Sequence, residues 1–354
     1  MVSFARIEHS GESDVERMNP GHTVFMIVHG TRENGQLSVS CIVSGQADSL
    51  RSAGWDVRIG VVDDRTSVRG ITRNVLRLKG EITRAQPGVM HAQYGTVTAA
   101  VARLVRADIP LVVSFCGDDL LGTPEDGAAW RIRERIGRSF GIWAARDAAA
   151  VIVKSGNLYR ELPEDIRVKA IVIPNGVDLE WFMPLNRGMC RERLGWAKNP
   201  RVVLFNASRG DNRSVKNSAL AHAAVKVLSN EVPDVVLHTM SDSDREEVRW
   251  MMNAADCLLV TSLHEGSPNI VKEAMACNLP VVSVPCGDVA ERLEGTWPGG
   301  VGPYDAGALA EMIGDVFRVE CRSNGRERLL AQGLCAKVIA DRIIEVYRKV
   351  QGRD

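Results

Sequence analysis

Strand-length runs of valine, isoleucine and leucine alternate with longer stretches of helical periodicity along almost the whole chain, and few folds accept that pattern. The runs fall at 23–28, 55–62, 89–91, 111–115, 149–154 and 170–173, and a second series follows at 201–206, 235–239, 257–261 and 280–284. Their apolar content is close to continuous, as a parallel strand covered on both faces requires. Between them lie segments such as 96–107, where Val97, Ala100, Val101, Leu104 and Val105 recur at helical spacing. Regular strand–helix alternation of this length predicts a doubly wound α/β protein.

The series breaks once, at Ile173-Pro174-Asn175-Gly176-Val177-Asp178. Proline followed by Asn-Gly is a turn signal, and the polar stretch from there to Pro200 lacks strong periodicity. With 354 residues, two domains are the natural reading. The expected division is an N-terminal extension over 1–21, a Rossmann-like domain over 22–175, a second over 176–334, and a C-terminal helix within 335–354. A ligand is expected in a cleft between the two, at the carboxyl ends of the strands.

Charge and composition narrow the function. Lys plus Arg equals Asp plus Glu at 44 each, so no overall field points to nucleic acid. The eight cysteines are scattered without a Cys-x-x-Cys pair, which suits reduced thiols. Residues 1–21 are polar and unlike a signal peptide, and no apolar run nears the ~20 residues of a membrane span. A cytoplasmic protein is therefore expected. The seven histidines show no ligand spacing, so no metal site is expected.

The chemistry concentrates in Leu263-His264-Glu265-Gly266-Ser267-Pro268-Asn269-Ile270-Val271-Lys272-Glu273, which follows the run at 257–261 and opens a helix. Ser267 reads as its N-cap and Pro268 as a first-turn residue. The N–H groups of Gly266, Ser267 and Asn269, with the positive end of the helix dipole, are expected to make an anion site. A carboxylate offers two acceptors to a sugar diol, so Glu273 is expected on a ribose and Glu265 on hydroxyls of a second sugar.

With these residues the sequence resembles the family-4 retaining glycosyltransferases of GT-B architecture, whose signature is a glutamate pair separated by seven residues, as Glu265 and Glu273 are. The resemblance extends through His91-Ala92-Gln93-Tyr94-Gly95, Gly117-Asp118-Asp119-Leu120-Leu121-Gly122, the Pro174-Asn175-Gly176 turn, Val215-Lys216-Asn217 and Gly287-Asp288-Val289. It implies two Rossmann-like domains facing a central cleft, with the last helix returning to the first domain. It also implies retaining transfer from a nucleotide-diphosphate sugar, UDP- or GDP-linked, without a metal or other cofactor. The acceptor is unidentified, and a lipid-linked one is among the options.

The family's diphosphate-neutralising lysine matches Lys216. Its arginine matches Arg213 first and Arg209 second, because 207–212 is a residue or two longer than the family pattern. Such cations stabilise the charge that develops on the leaving phosphate. A glycine-rich loop after the first strand is expected from Gly30 to Gly35. Many members carry a histidine where this chain has Cys116, and a thiol with a pKa of ~8.5 is no substitute proton carrier. Asp118, Asp119 and His91 are the candidates to cover that role.

Two further features invite function. Asp242-Ser243-Asp244 resembles the Asp-x-Asp of metal-dependent transferases, but a helix start explains it more simply. Trp130 to Trp143 carries Arg131, Arg133, Arg135 and Arg138 among apolar residues, a basic amphipathic pattern suited either to an ordinary surface helix or to peripheral contact with the inner face of a membrane. A sugar-nucleotide epimerase, a phosphorylase and a non-catalytic nucleotide-sugar-binding relative are the alternatives to a transferase.

Overall fold

A computed structural model describes residues 4–7, 20–33, 36–122, 128–208, 214–241 and 243–352. The chain divides into two compact units, one of residues 2–176 with 336–354 and the other of residues 177–335.

The first unit is built on an eight-stranded sheet. Its strands are β1 (Phe4–Ile7), β2 (Thr23–Glu33), β3 (Gln36–Ser40), β4 (Asp56–Val62), β5 (Val89–Gln93), β6 (Leu111–Phe115), β7 (Ala150–Val153) and β8 (Ala170–Val172). The order is β1-β3-β2-β5-β6-β7-β8, with β4 paired to β2. Strands β5, β6 and β7 are buried along their whole length, which is why their sequences are apolar without alternation. Val113, Phe115, Val151 and Val153 join Leu78, Ala99, Val101 and Ala145 from the covering helices in one core.

Strand β2 is longer than its apolar run. Thr23–His29 pairs in parallel with β4, and Gly30–Glu33 then continues antiparallel to β3. Gly30 therefore lies inside a hairpin strand opposite Val39, not in a glycine-rich loop after the strand. The residues expected to complete that loop, Asn34 and Gly35, lie outside the described residues.

The C-terminal helix Ala336–Val350 belongs to this unit and packs on helix Cys41–Ser52. Its apolar side is Ile339, Ala340, Ile343, Ile344 and Tyr347, at helical spacing. Gly176 closes the Pro-Asn-Gly turn hard against its first residue. A Cβ there would stand 2.7 Å from the Ala336 Cα, so no larger residue fits.

The second unit carries a five-stranded parallel sheet in the order β10-β9-β11-β12-β13. The strands are β9 (Arg201–Ser208), β10 (Val235–Ser241), β11 (Cys257–Val260), β12 (Val281–Ser283) and β13 (Gly299–Val301). Val177 and Cys335, the first and last residues of the unit, form a parallel bridge. No disulfide joins any of the described cysteines. Among the described residues no helix is long and apolar enough to cross a membrane.

Candidate functional site

The site of the second unit is built from three loops at the carboxyl ends of β9, β11 and β12, where an open parallel sheet places its ligands. The first loop runs into the short 3-10 helix Ser214–Lys216 and then helix Ser218–Leu228. The second leads from β11 to helix Asn269–Ala276, and the third from β12 to helix Val289–Leu293.

The first two loops are sewn together by their backbones. The Thr261 hydroxyl reaches the carbonyl oxygens of Lys216 and Asn217 at 2.8 and 3.0 Å. The Leu263 N–H donates to the Val215 carbonyl at 2.8 Å. These contacts aim Lys216 across the gap, and its Nζ donates to Glu265 Oε1 at 2.5 Å. The Ser262 hydroxyl donates to the same oxygen at 3.1 Å. Two residues expected to serve different parts of a donor thus meet in one ion pair, largely screened from water.

Ser267 does not cap the helix. Helix Asn269–Ala276 starts after Pro268, whose position offers no side-chain cap. The Ser267 hydroxyl is drawn inward instead, donating to Asp288 Oδ2 at 2.9 Å and accepting from Lys272 Nζ at 3.1 Å. Arg292 Nε completes the group with a 3.0 Å bond to Asp288 Oδ2. Tertiary partners thus outcompete the local cap. Lys272 is 1% exposed and Asp288 5%, so this network fixes the loop from beneath. Sequence reasoning passed over Lys272, although a charged residue between the buried Val271 and Ala274 was its signal.

The third loop presses on the second at Gly287, where φ is +58° and a Cβ would stand 2.9 Å from the carbonyl oxygens of both Glu265 and Gly266. The Tyr304 hydroxyl adds a clamp, 3.0 and 3.2 Å from the carbonyl oxygens of Ser262 and Leu263. Glu273 lies in the same helix as Asn269. Burial pushes its carboxyl above the ordinary range, and the charges of Arg245 and Lys272 pull partly against that. Arg209 and Arg213 lie outside the described residues, as does Asp242. Asp244 caps helix Arg245–Ala254 in a reciprocal capping box with Glu247.

The candidates of the first unit have other work. His91 is fully buried in β5, with Nδ1 2.6 Å from the Tyr347 hydroxyl and Nε2 2.7 Å from Ser114 Oγ. Burial, aided by the charge of Lys154, pushes its pKa down to about 3, so it is a neutral core residue. Asp119 is 2% exposed and spends its oxygens on the N–H groups of Gly95, Cys116 and Gly117 at 2.7 to 2.9 Å. It ties the loops after β5 and β6 together. Burial raises its pKa to about 6 and that of the Cys116 thiol to about 12, so the thiol stays protonated.

Helix Ala128–Asp147 leaves Ile132, Ile136 and Phe140 exposed at helical spacing beside Arg133, Arg135 and Arg138. The Arg103 guanidinium stacks on Trp143 at 3.6 Å, and the side chains of Trp130 and Arg131 lie outside the described residues. Among the described residues no group of three His, Cys, Asp or Glu side chains is placed to hold a metal ion.

Residues 19–181 match the profile of Glycosyltransferase Family 4, and residues 198–318 match that of Glycosyl transferases group 1. TuaC of Bacillus subtilis (strain 168), a glycosyltransferase provisionally assigned to teichuronic acid biosynthesis, is 24% identical over 64% of this chain. A UDP-Gal:alpha-D-GlcNAc-diphosphoundecaprenol alpha-1,3-galactosyltransferase of Escherichia coli is 28% identical over 32% of it. The chain spans 60% and 36% of the lengths of these two relatives.

Among solved structures, sucrose-phosphate synthase from Thermosynechococcus elongatus superposes with a TM-score of 0.74 at 18% identity, covering 94% of this chain and 99% of that one. Anabaena HepE in complex with UDP-glucose gives 0.68 at 16% identity, covering 92% and 99%. The shared fold is GT-B, and the chain belongs to glycosyltransferase family 4, the glycosyl transferases group 1.

Proposed function

We propose that this protein transfers a sugar from a nucleotide-diphosphate donor, UDP- or GDP-linked, to an acceptor hydroxyl with retention of configuration and without a metal. The observation that carries the reading is the meeting of Lys216 and Glu265 beside the start of helix Asn269–Ala276. A cation, a carboxylate and a helix N-terminus at one strand end suit a ligand that joins phosphate to sugar. Lys216 neutralises charge developing on the leaving diphosphate, with the helix start and, by family resemblance, Arg213 or Arg209 beside it. Glu265 orients hydroxyls of the sugar, and Glu273 accepts from the ribose diol.

Proton transfer follows from what is occupied. With the Cys116 thiol held protonated, His91 buried and Asp119 bound to three backbone groups, the leaving phosphate is the best acceptor for the proton of the attacking hydroxyl. That route has the acceptor attack from the leaving-group face, which retains configuration. The UDP-glucose in the HepE complex favours a UDP-linked hexose. The diphosphoundecaprenol substrate in the name of the Escherichia coli relative favours a lipid-linked acceptor. Helix Ala128–Asp147, with Ile132, Ile136 and Phe140 beside its arginines, suits peripheral contact with an anionic membrane on the cytoplasmic side.

Calorimetric titration with UDP, GDP and their sugars, with and without chelator, tests the proposal. Tight, chelator-insensitive binding of one diphosphate-linked sugar is expected. Binding of none, or binding abolished by chelator, overturns the reading.

A further inference from the structure

Three of the buried hydrogen-bond donors that the first unit leaves without a partner among the described residues lie at the carboxyl ends of two strands that flank β6. Gln93 ends β5, is 5% exposed, and its Nε2 is unpartnered. Lys154 follows β7, is 1% exposed, and its Nζ is unpartnered. Ser155 comes next, fully buried, with its hydroxyl unpartnered as well. Leaving polar groups unpaired in a dry interior is costly, and most of all for an ammonium.

Register brings the first two together. Gln93 pairs with Ser114 across β5 and β6, and Phe115 pairs with Val153 across β6 and β7. Cys116 and Lys154 are the next pair along. Strand alternation then puts Gln93, Ser114, Cys116 and Lys154 on one face. Neighbouring strands are ~4.8 Å apart, so Gln93 and Lys154 stand on that face two strands apart, with Ser114 and Cys116 between them. Asp119 is the nearby anion, but its oxygens are spent on backbone N–H groups. What remains is a cluster of donors with no acceptor of its own.

We infer that Lys154 and Gln93 form a subsite for an anionic oxygen group, a carboxylate or phosphate, on the acceptor substrate. Placing that group on the acceptor rests on the transferase reading above, which assigns the donor to Lys216 and the loops of the second unit. Oxygen atoms of an acidic sugar or a sugar phosphate would satisfy both donors at once, and a neutral sugar would leave the ammonium bare.

The full chain is titrated with glucuronate, glucose 6-phosphate and glucose, and separately with UDP. One of the two anions should bind about tenfold or more tighter than glucose. Lys154→Met should erase that preference with UDP affinity unchanged, and Lys154→Arg should retain part of it. Removing an unpaired buried charge should also raise the Tm of Lys154→Met by about 2–4 °C. No preference in the parent chain, an intact preference in Lys154→Met, a lowered Tm, or UDP binding lost along with the anion each overturns the inference. A parent chain that prefers the anions yet binds no UDP upholds the oxyanion subsite and removes the transferase reading instead.

Discussion

Lys216 Nζ and Glu265 Oε1 stand 2.5 Å apart, joining the loops after β9 and β11 through side chains only 15% and 19% exposed. Each group balances the charge of the other. A diphosphate arriving beside Lys216 would exchange one anionic partner for another and release Glu265 toward sugar hydroxyls.

That exchange makes the two residues act as a unit. Glu265→Ala should lower kcat by about 100- to 1000-fold, as losing a preorganised transition-state contact does. Lys216→Ala should weaken nucleotide binding by about tenfold or more. The double variant should cost much less than the two losses combined, because each single change already strands its partner. Steady-state kinetics and calorimetric nucleotide binding measure this, and strictly additive losses would show that the pair has no functional coupling.

Gly287 should be as sensitive as the residues it supports. Its φ of +58° strains any side chain, and a Cβ would press on the carbonyl oxygens of Glu265 and Gly266. Gly287→Ala should cost about 1–2 kcal/mol from the left-handed backbone alone, with the clash adding to it. Thermal unfolding should show the loss, and kcat should fall with Glu265 displaced. An unchanged Tm with full activity would mean that the loop after β12 does not set the position of Glu265.

Much of this arrangement is legible in the sequence, and the misreadings share a cause. Buried parallel strands such as Leu111–Phe115 announce themselves because both faces are apolar. The end of β2 does not, because Thr31, Arg32 and Glu33 break the apolar run while their backbones still pair with β3. Strand β13, Gly-Gly-Val, offers no hydrophobic signal at all. Ser267 has the chemistry of an N-cap, but Asp288, 21 residues away, takes its hydroxyl. Asp119 and His91 have the right chemistry for proton transfer, and only the tertiary fold reveals that backbone N–H groups and Tyr347 claim them. Local pattern reports which elements form, and the partner of a polar side chain depends on what the fold brings beside it.

Nucleotide affinity should depend on pH through Glu273. Burial raises its carboxyl pKa, so it gains a proton at a higher pH than an ordinary glutamate. If the ionised form holds the ribose, affinity for UDP or GDP should begin to fall on acidification at a higher pH than an ordinary glutamate, near 4.3, would allow. Glu273→Gln should bind more weakly before acidification and lose that dependence. Calorimetry as a function of pH decides it, and a parallel decline in both proteins would place the titrating group elsewhere.

Stability should fall in acid through His91. Burial pushes its pKa from 6.5 down to about 3 in the folded chain, so the unfolded chain binds the extra proton first. A depressed folded pKa contributes stability that is fully present above pH 6.5 and is lost as pH falls through that window toward 3. The full contribution is on the order of 5 kcal/mol at one pKa unit per 1.36 kcal/mol. Asp119 works in the opposite sense. Its pKa is raised to about 6, so its contribution is present below the ordinary value of 3.8 and is lost as pH rises through 6. Urea unfolding at pH 7 and at about pH 4.5 separates the two. His91→Gln should be less stable at pH 7, through its lost bonds to Tyr347 and Ser114, yet lose less on acidification. Asp119→Asn should make the acid loss steeper. Equal acid losses in the parent chain and in His91→Gln would show that the imidazole is not the group that must be charged for the first unit to open.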